Sequence, residues 1–88
     1  MNNKRIKKAV ALKYEKHKMK APIVTAKGQG FIAQKIVEIA KDYNIPIYED
    51  DTLVNFLIKL ELNEEIPEEL YEIIAKILVF IYKINKDK

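Results

Sequence analysis

At 88 residues, 49% hydrophobic and 33% charged, the chain has the make-up of one folded domain with a single modest core. It contains no cysteine, one histidine and no serine, which excludes disulfides, thiolate or histidine-rich metal sites and a serine nucleophile. The net charge of +3 is unevenly spread: residues 1–41 carry 11 basic and 2 acidic side chains, whereas residues 42–88 carry 5 and 11.

No apolar run reaches membrane-spanning length, and the basic start is not followed by the apolar stretch of a signal peptide. These features describe a cytoplasmic protein, and we expect neither a metal nor a cofactor. Residues 1–8 form a basic amino-terminal segment, and residues 85–88 are expected to fray.

The first element is a strand. Val10, Leu12 and Tyr14 alternate with Ala9, Ala11 and Lys13, so large side chains share one face and small ones the other. The alanines predict a helix packed closely on their side. A lysine-rich connection follows, and Pro22 opens a second strand at Ile23-Val24-Thr25-Ala26, rich in β-branched residues. Gly28 and Gly30 punctuate the turn into a helix over residues 31–43. Its apolar positions Ile32, Ile36, Ile39 and Tyr43, flanked by Ala33, Val37 and Ala40, follow the 3.6-residue period.

Asn44 suits the left-handed residue that closes a helix, and Pro46 cannot continue one. Ile45-Pro46-Ile47-Tyr48 then reads as a third strand, parallel to the second through a right-handed crossover. Asp50 or Asp51 caps a second helix over residues 52–60, and Asn63-Glu64-Glu65 makes a turn. Pro67, followed by Glu68 and Glu69, opens the last helix. Leu70, Ile73, Ile74, Ile77, Leu78 and Ile81 line its face, with Tyr71, Ala75 and Tyr82 beside them. The expected fold is α/β: a small mixed sheet of about three strands with about three helices, in the order β-β-α-β-α-α.

Candidate chemistry is sparse. Gly28-Gln29-Gly30 lies at a strand-to-helix junction, where backbone N–H groups bind anions, but it lacks the third glycine or the Gly-Lys-Ser/Thr of a nucleotide loop. Two glycines there more simply permit a tight turn and close packing. Glu49, Asp50 and Asp51 form the one acidic triplet, best read as cap and solvated charge. His17, between Lys16 and Lys18, is a solvated loop residue. Lys4, Arg5, Lys7, Lys8, Lys13, Lys16, Lys18 and Lys20 form a basic cluster. It defines the alternative function, a nucleic-acid or anionic-surface binder, although interleaved aromatic residues for base stacking are missing. Lysines along a sheet edge also discourage unwanted strand pairing.

Several segments carry a resemblance to a known family. They are Ala9-Val10-Ala11-Leu12-Lys13-Tyr14, Ala21-Pro22 with Val24, and Ala26-Lys27-Gly28-Gln29-Gly30. Further along are Ile45-Pro46-Ile47 with Glu49-Asp50, and Glu65-Ile66-Pro67-Glu68-Glu69-Leu70-Tyr71. In this order and spacing they resemble the cytoplasmic domain of the FlhB/YscU/SpaS export-gate switch proteins of flagellar and type III secretion systems. The likeness runs from about Ala9 to Tyr82.

The resemblance implies a compact α/β domain at the cytoplasmic mouth of an export apparatus. It further implies contacts with export-gate proteins and export cargo, and a part in selecting the substrate class. In that family an Asn-Pro-Thr-His turn cuts itself. Here Lys4-Arg5-Ile6-Lys7 stands in its place, and none of the six asparagines precedes a proline. The proline pair and arginine often found after Glu-Asp are replaced by Asp51-Thr52 and Asn55.

The expectation is therefore a stand-alone, non-enzymatic protein-binding module without the membrane part or the strand before the cleavage turn. Lys27, Gly28, Gly30, Glu49 and Asp50 are the candidate partner-binding residues. The edge at Val10, Leu12 and Tyr14 is expected to accept a partner's strand.

Overall fold

The computed structural model describes residues 7–15 and 17–86, with side chains to residue 78. Strands β1 (Lys8–Lys13) and β2 (Ile23–Gln29) form an antiparallel pair, followed by helices α1 (Phe31–Asp42), α2 (Asp51–Leu57) and α3 (Tyr71–Lys86). A short 3-10 turn, Glu68–Leu70, leads into α3. Lys4, Arg5 and Lys16 of the basic cluster lie outside the described residues, as does Ile6. So does the end of the expected frayed tail; α3 itself continues to Lys86.

The strand register sorts the sheet into two faces. Ala9 pairs with Gly28 and Ala11 with Ala26, while Val10 pairs with Lys27. The register shifts between Ala11 and Leu12, because Leu12 pairs with Val24 and leaves Thr25 as the extra residue of a β-bulge. The Thr25 hydroxyl donates to the Ala11 carbonyl at 3.3 Å across that bulge. Cross-strand partners share a face, so Ala9 lies on the side of Gly28, which meets Ile32 of α1. Small residues let α1 approach both strands, as the alanine pattern predicts.

The opposite face carries Val10 and Leu12 onto the main core, built from Ala21, Leu53, Leu57, Ile66, Ile74 and Ile77. This core lies between the sheet, α2 and α3. Val24 and Ala33 are fully buried outside that cluster.

The sheet has two strands rather than about three among the described residues. Residues 45–48 form no strand, and the termination of α1 explains why. Asn44 adopts φ 57°, its N–H donates to Lys41 O at 3.2 Å, and the Ile45 N–H donates to Ala40 O at 2.8 Å. This paired left-handed closure consumes the Ile45 donor, and Pro46 has none. The segment therefore enters its expected strand without its first two ladder donors.

The outer edge of β2 is instead partly covered by the segment expected to be a simple turn. Asn63 N–H donates to Val24 O at 2.6 Å, Val24 N–H to Glu64 O at 3.0 Å and Ile66 N–H to Pro22 O at 3.0 Å. Ile23 and Glu65 form an isolated antiparallel bridge.

Other boundaries move by a few residues. β2 runs on to Gln29, and α2 ends at Leu57 with residues 58–60 in a turn. Pro67 sits just before the 3-10 turn in an extended conformation, with its carbonyl accepting from Leu70 N–H at 2.9 Å. On α3, Ile74 and Ile77 are buried and Leu78 half-buried, as is Leu70 at the end of the 3-10 turn, whereas Ile73 stands partly in solvent. Ile81 and Tyr82 lie beyond the described side chains.

Candidate docking surface

Lys27 lies at the centre of the predicted recognition turn, and its side chain points inward. On the face shared with Val10, its ammonium donates to Ile58 O at 3.1 Å and Leu60 O at 2.6 Å. These carbonyls follow the last turn of α2, where partial negative charge accumulates and no further helical N–H is available. Half-buried Lys27 thus acts as a cationic cap that ties β2 to the end of α2.

The glycines serve two different ends. A Cβ on Gly28 would stand 2.7 Å from Ile32 Cβ, closer than real side chains approach, so Gly28 sets the distance between β2 and α1. Gly30 has φ 57° with open space where a Cβ would go, so conformation rather than crowding calls for glycine. Its N–H donates to Lys7 O at 2.9 Å, closing the end of the sheet, and its carbonyl accepts the first helical bond from Gln34 at 3.1 Å.

Asp50 is the N-cap of α2. Its Oδ1 accepts from Leu53 N–H at 2.9 Å, and its carbonyl accepts from Val54 N–H at 3.0 Å. Glu49, immediately before it, is exposed. Four of the five predicted residues thus have a structural role of their own. Lys27, Gly28, Gly30 and Asp50 shape the turns and helix ends, and Glu49 faces solvent.

At the other predicted surface, Val10 and Leu12 are half-buried against the core, and Tyr14 lies just past β1 and is exposed. Lys8 reaches across to α2, donating from Nζ to Asn55 Oδ1 at 2.6 Å. His17 is exposed. Among the described residues, no group of three or more His, Cys, Asp or Glu side chains is placed to hold a metal ion. No helix among them is long and apolar enough to cross a membrane.

A surface missed by the sequence reading is more extensive. Phe31, Ile32, Ile39 and Tyr43 of α1 and its end are exposed, as are Ile45, Ile47 and Tyr48 after it. Only Ala33 of α1 is fully buried, with Ile36, Val37 and Ala40 half-buried. Of the apolar positions that follow the helical period, Ile39 and Tyr43 are thus turned outward, and Ile32 is half exposed while its Cβ lies over Gly28. The signal was present: apolar residues cover more than one side of this helix, and a thin sheet can cover only one.

This arrangement of sheet, crossing helix and terminal helices is the fold of the export-switch carboxyl-terminal domain. The structure superposes on a mutated EscU/SpaS C-terminal domain with a TM-score of 0.83 at 26% identity, covering 88% of this chain and 96% of that one. The PscU C-terminal domain shares the fold, with a TM-score of 0.79 at 24% identity over 84% of this chain and 95% of that domain.

Residues 6–81 match the FlhB HrpN YscU SpaS family, and the chain belongs to it. It is 48% identical over 81 residues to the uncharacterized protein YlqH of Bacillus subtilis, covering 92% of this chain and 87% of that protein. It is 47% identical over 79 residues to the flagellar biosynthetic protein FlhB of Borreliella burgdorferi, covering 89% of this chain. The matched region is 21% of that FlhB, about a fifth of its length. The same share of FlhB from Bacillus subtilis is matched at 40% identity.

Proposed function

We propose that this chain is a non-cleaving protein-binding module of a flagellar or related type III export system. It docks on export-gate proteins at the cytoplasmic face and modulates which cargo is passed. The observation that carries the reading is the preservation of the family's whole switch-domain fold in a sequence without any Asn-Pro bond. Asparagine-driven chain cleavage of the kind the family resemblance implies needs that bond, so the surface remains as the working part.

Exposed Glu49 and the backbone of the Gly28–Gly30 turn supply polar contacts in this reading. Lys27, Gly28 and Asp50 hold those contacts in place from behind. The β1 edge around Val10, Leu12 and Tyr14 adds main-chain hydrogen bonds to a partner's strand.

The test is calorimetric titration of the purified chain against purified cytoplasmic domains of export-gate proteins, at low and high salt. Saturable binding that persists at high salt supports the reading. Failure to bind any gate domain, together with nucleic-acid binding that falls steeply with salt, would overturn it in favour of the basic-cluster alternative.

A further inference from the structure

Helix α1 has two apolar sides, and among the described residues one packs on the sheet while the other is half exposed or more, with Ile32 also touching Gly28 at its edge. Ala33 is buried and Ile36, Val37 and Ala40 are half-buried beneath it, where α1 crosses β1 and β2. Ile32, Ile39 and Tyr43 are 52%, 50% and 74% exposed and follow one another at seven- and four-residue spacing. On a helix of 3.6 residues per turn that spacing draws one continuous stripe, with half-buried Ile36 at its inner margin. Exposed Lys35, Glu38 and Asp42 run along the stripe's other margin, and Phe31 lies beside Lys35, whose ammonium is 5.9 Å from the ring centroid.

The order of those charges decides what fits. Two copies of α1 laid antiparallel about a two-fold axis between residues 37 and 38 place Ile32 opposite the partner's Tyr43 and Ile36 opposite the partner's Ile39. In antiparallel pairs the same margin of each helix faces its equivalent. Lys35 then falls between the levels of the partner's Glu38 and the partner's Asp42, and the two-fold repeats the match. A parallel pairing aligns the helix dipoles and turns Lys35 toward the partner's other margin, where Ile36 lies and no acidic residue does. The stripe is thus self-complementary in apolar shape and in charge, as an isologous interface requires.

We propose that the exposed face of α1 is a homodimer interface, with a second copy of this chain packed antiparallel through Ile32, Ile39 and Tyr43 and held in register by Lys35 against Glu38 and Asp42. One helix face buries less than the roughly 1,200 Å² total of a standard stable interface, so the dimer forms and dissociates with concentration. This inference is independent of the export reading.

The test is sedimentation equilibrium of the full chain from about 10 μM to about 1 mM, the range in which interfaces of this size assemble. The wild-type mass is expected to rise toward two chains. Ile39→Asp is expected to raise the dissociation constant at least about tenfold, because it places an unpaired charge in the apolar centre. Lys35→Glu is expected to weaken association by several-fold, and the combination of Lys35→Glu with Glu38→Lys and Asp42→Lys to restore it by exchanging both partners of each pair. The charge series keeps the proposal open to refutation if Ile39→Asp fails to fold. A wild-type chain that stays monomeric throughout overturns it. So does a dimer indifferent to the Lys35→Glu substitution and its reversal, including one held by any other face.

Discussion

Lys27 Nζ donates to the Leu60 carbonyl at 2.6 Å, joining the second strand to the chain beyond α2 across 33 residues of sequence. The same ammonium serves Ile58 O at 3.1 Å. A half-buried cation that satisfies two carbonyls at a helix end is a structural tie, and its loss leaves those oxygens poorly solvated. Lys27→Met keeps the stem and removes the donors; it is expected to cost about 1–2 kcal/mol. Urea denaturation with circular dichroism checks this, and an unchanged midpoint would show that water replaces the ammonium at no cost.

Gly28 and Gly30 separate two reasons for glycine. Gly28→Val drives new methyl groups into Ile32 of α1, and overpacking of this kind costs about 1–3 kcal/mol. Gly30→Ala meets no neighbour but must hold φ 57° with ψ −122°, outside the regions open to a residue with a Cβ, at about 1–3 kcal/mol. Thermal melts should show both variants destabilised, and a Gly30→Ala midpoint equal to the wild type's would show that conformation does not demand glycine there.

Asp50 offers a cleaner experiment, because a single bond to Leu53 N–H carries its side-chain role. Asp50→Ala is expected to lose about 1 kcal/mol, and Asp50→Asn or Asp50→Ser to recover most of that. Were the asparagine and serine variants as unstable as the alanine, capping would not be the role of this carboxylate.

Adjacent residues on α3 differ in burial. Ile74 is 2% exposed in the main core, while Ile73 is 37% exposed. Ile74→Ala is expected to cost about 2–5 kcal/mol, comparable to the whole stability of a small domain. Ile73→Ala should cost roughly 1 kcal/mol or less. Equal losses in a denaturation series would place Ile73 in the core as well.

Intact-mass spectrometry of the purified chain after prolonged incubation addresses cleavage. One unfragmented species is expected, since no asparagine precedes a proline. A fragment produced in the absence of protease would reveal a cleavage route other than attack at an Asn-Pro bond.

Much of the fold was legible because the responsible interactions are short-range. The alternation around Val10 and Leu12, the positive-φ positions at Gly30 and Asn44, and the Asp50 cap are each decided within four or five residues. The third strand misread at residues 45–48 also had a local cause, although an indirect one. Once Asn44 closes the helix, the Ile45 N–H turns back to Ala40, and Pro46 brings no replacement donor. Periodicity records side-chain pattern and does not count backbone donors.

The candidate site was less legible. Nothing near Lys27 in sequence marks Ile58 and Leu60 as its partners; antiparallel pairing with Val10 turns its side chain toward α2. Likewise Ile39 and Tyr43 have the spacing of a core stripe, yet they stand in solvent because the two-stranded sheet is covered by the Ala33 side of α1.

The sequence by itself determined the family, the first two strands, the three helices in their order and the lack of an Asn-Pro bond. Turn, cap and cleavage chemistry depend on neighbours along the chain. Only the tertiary structure decided which apolar face is buried and which charged residue is spent on a helix end. Burial depends on what another element brings to cover a side chain, and that element is far away in sequence.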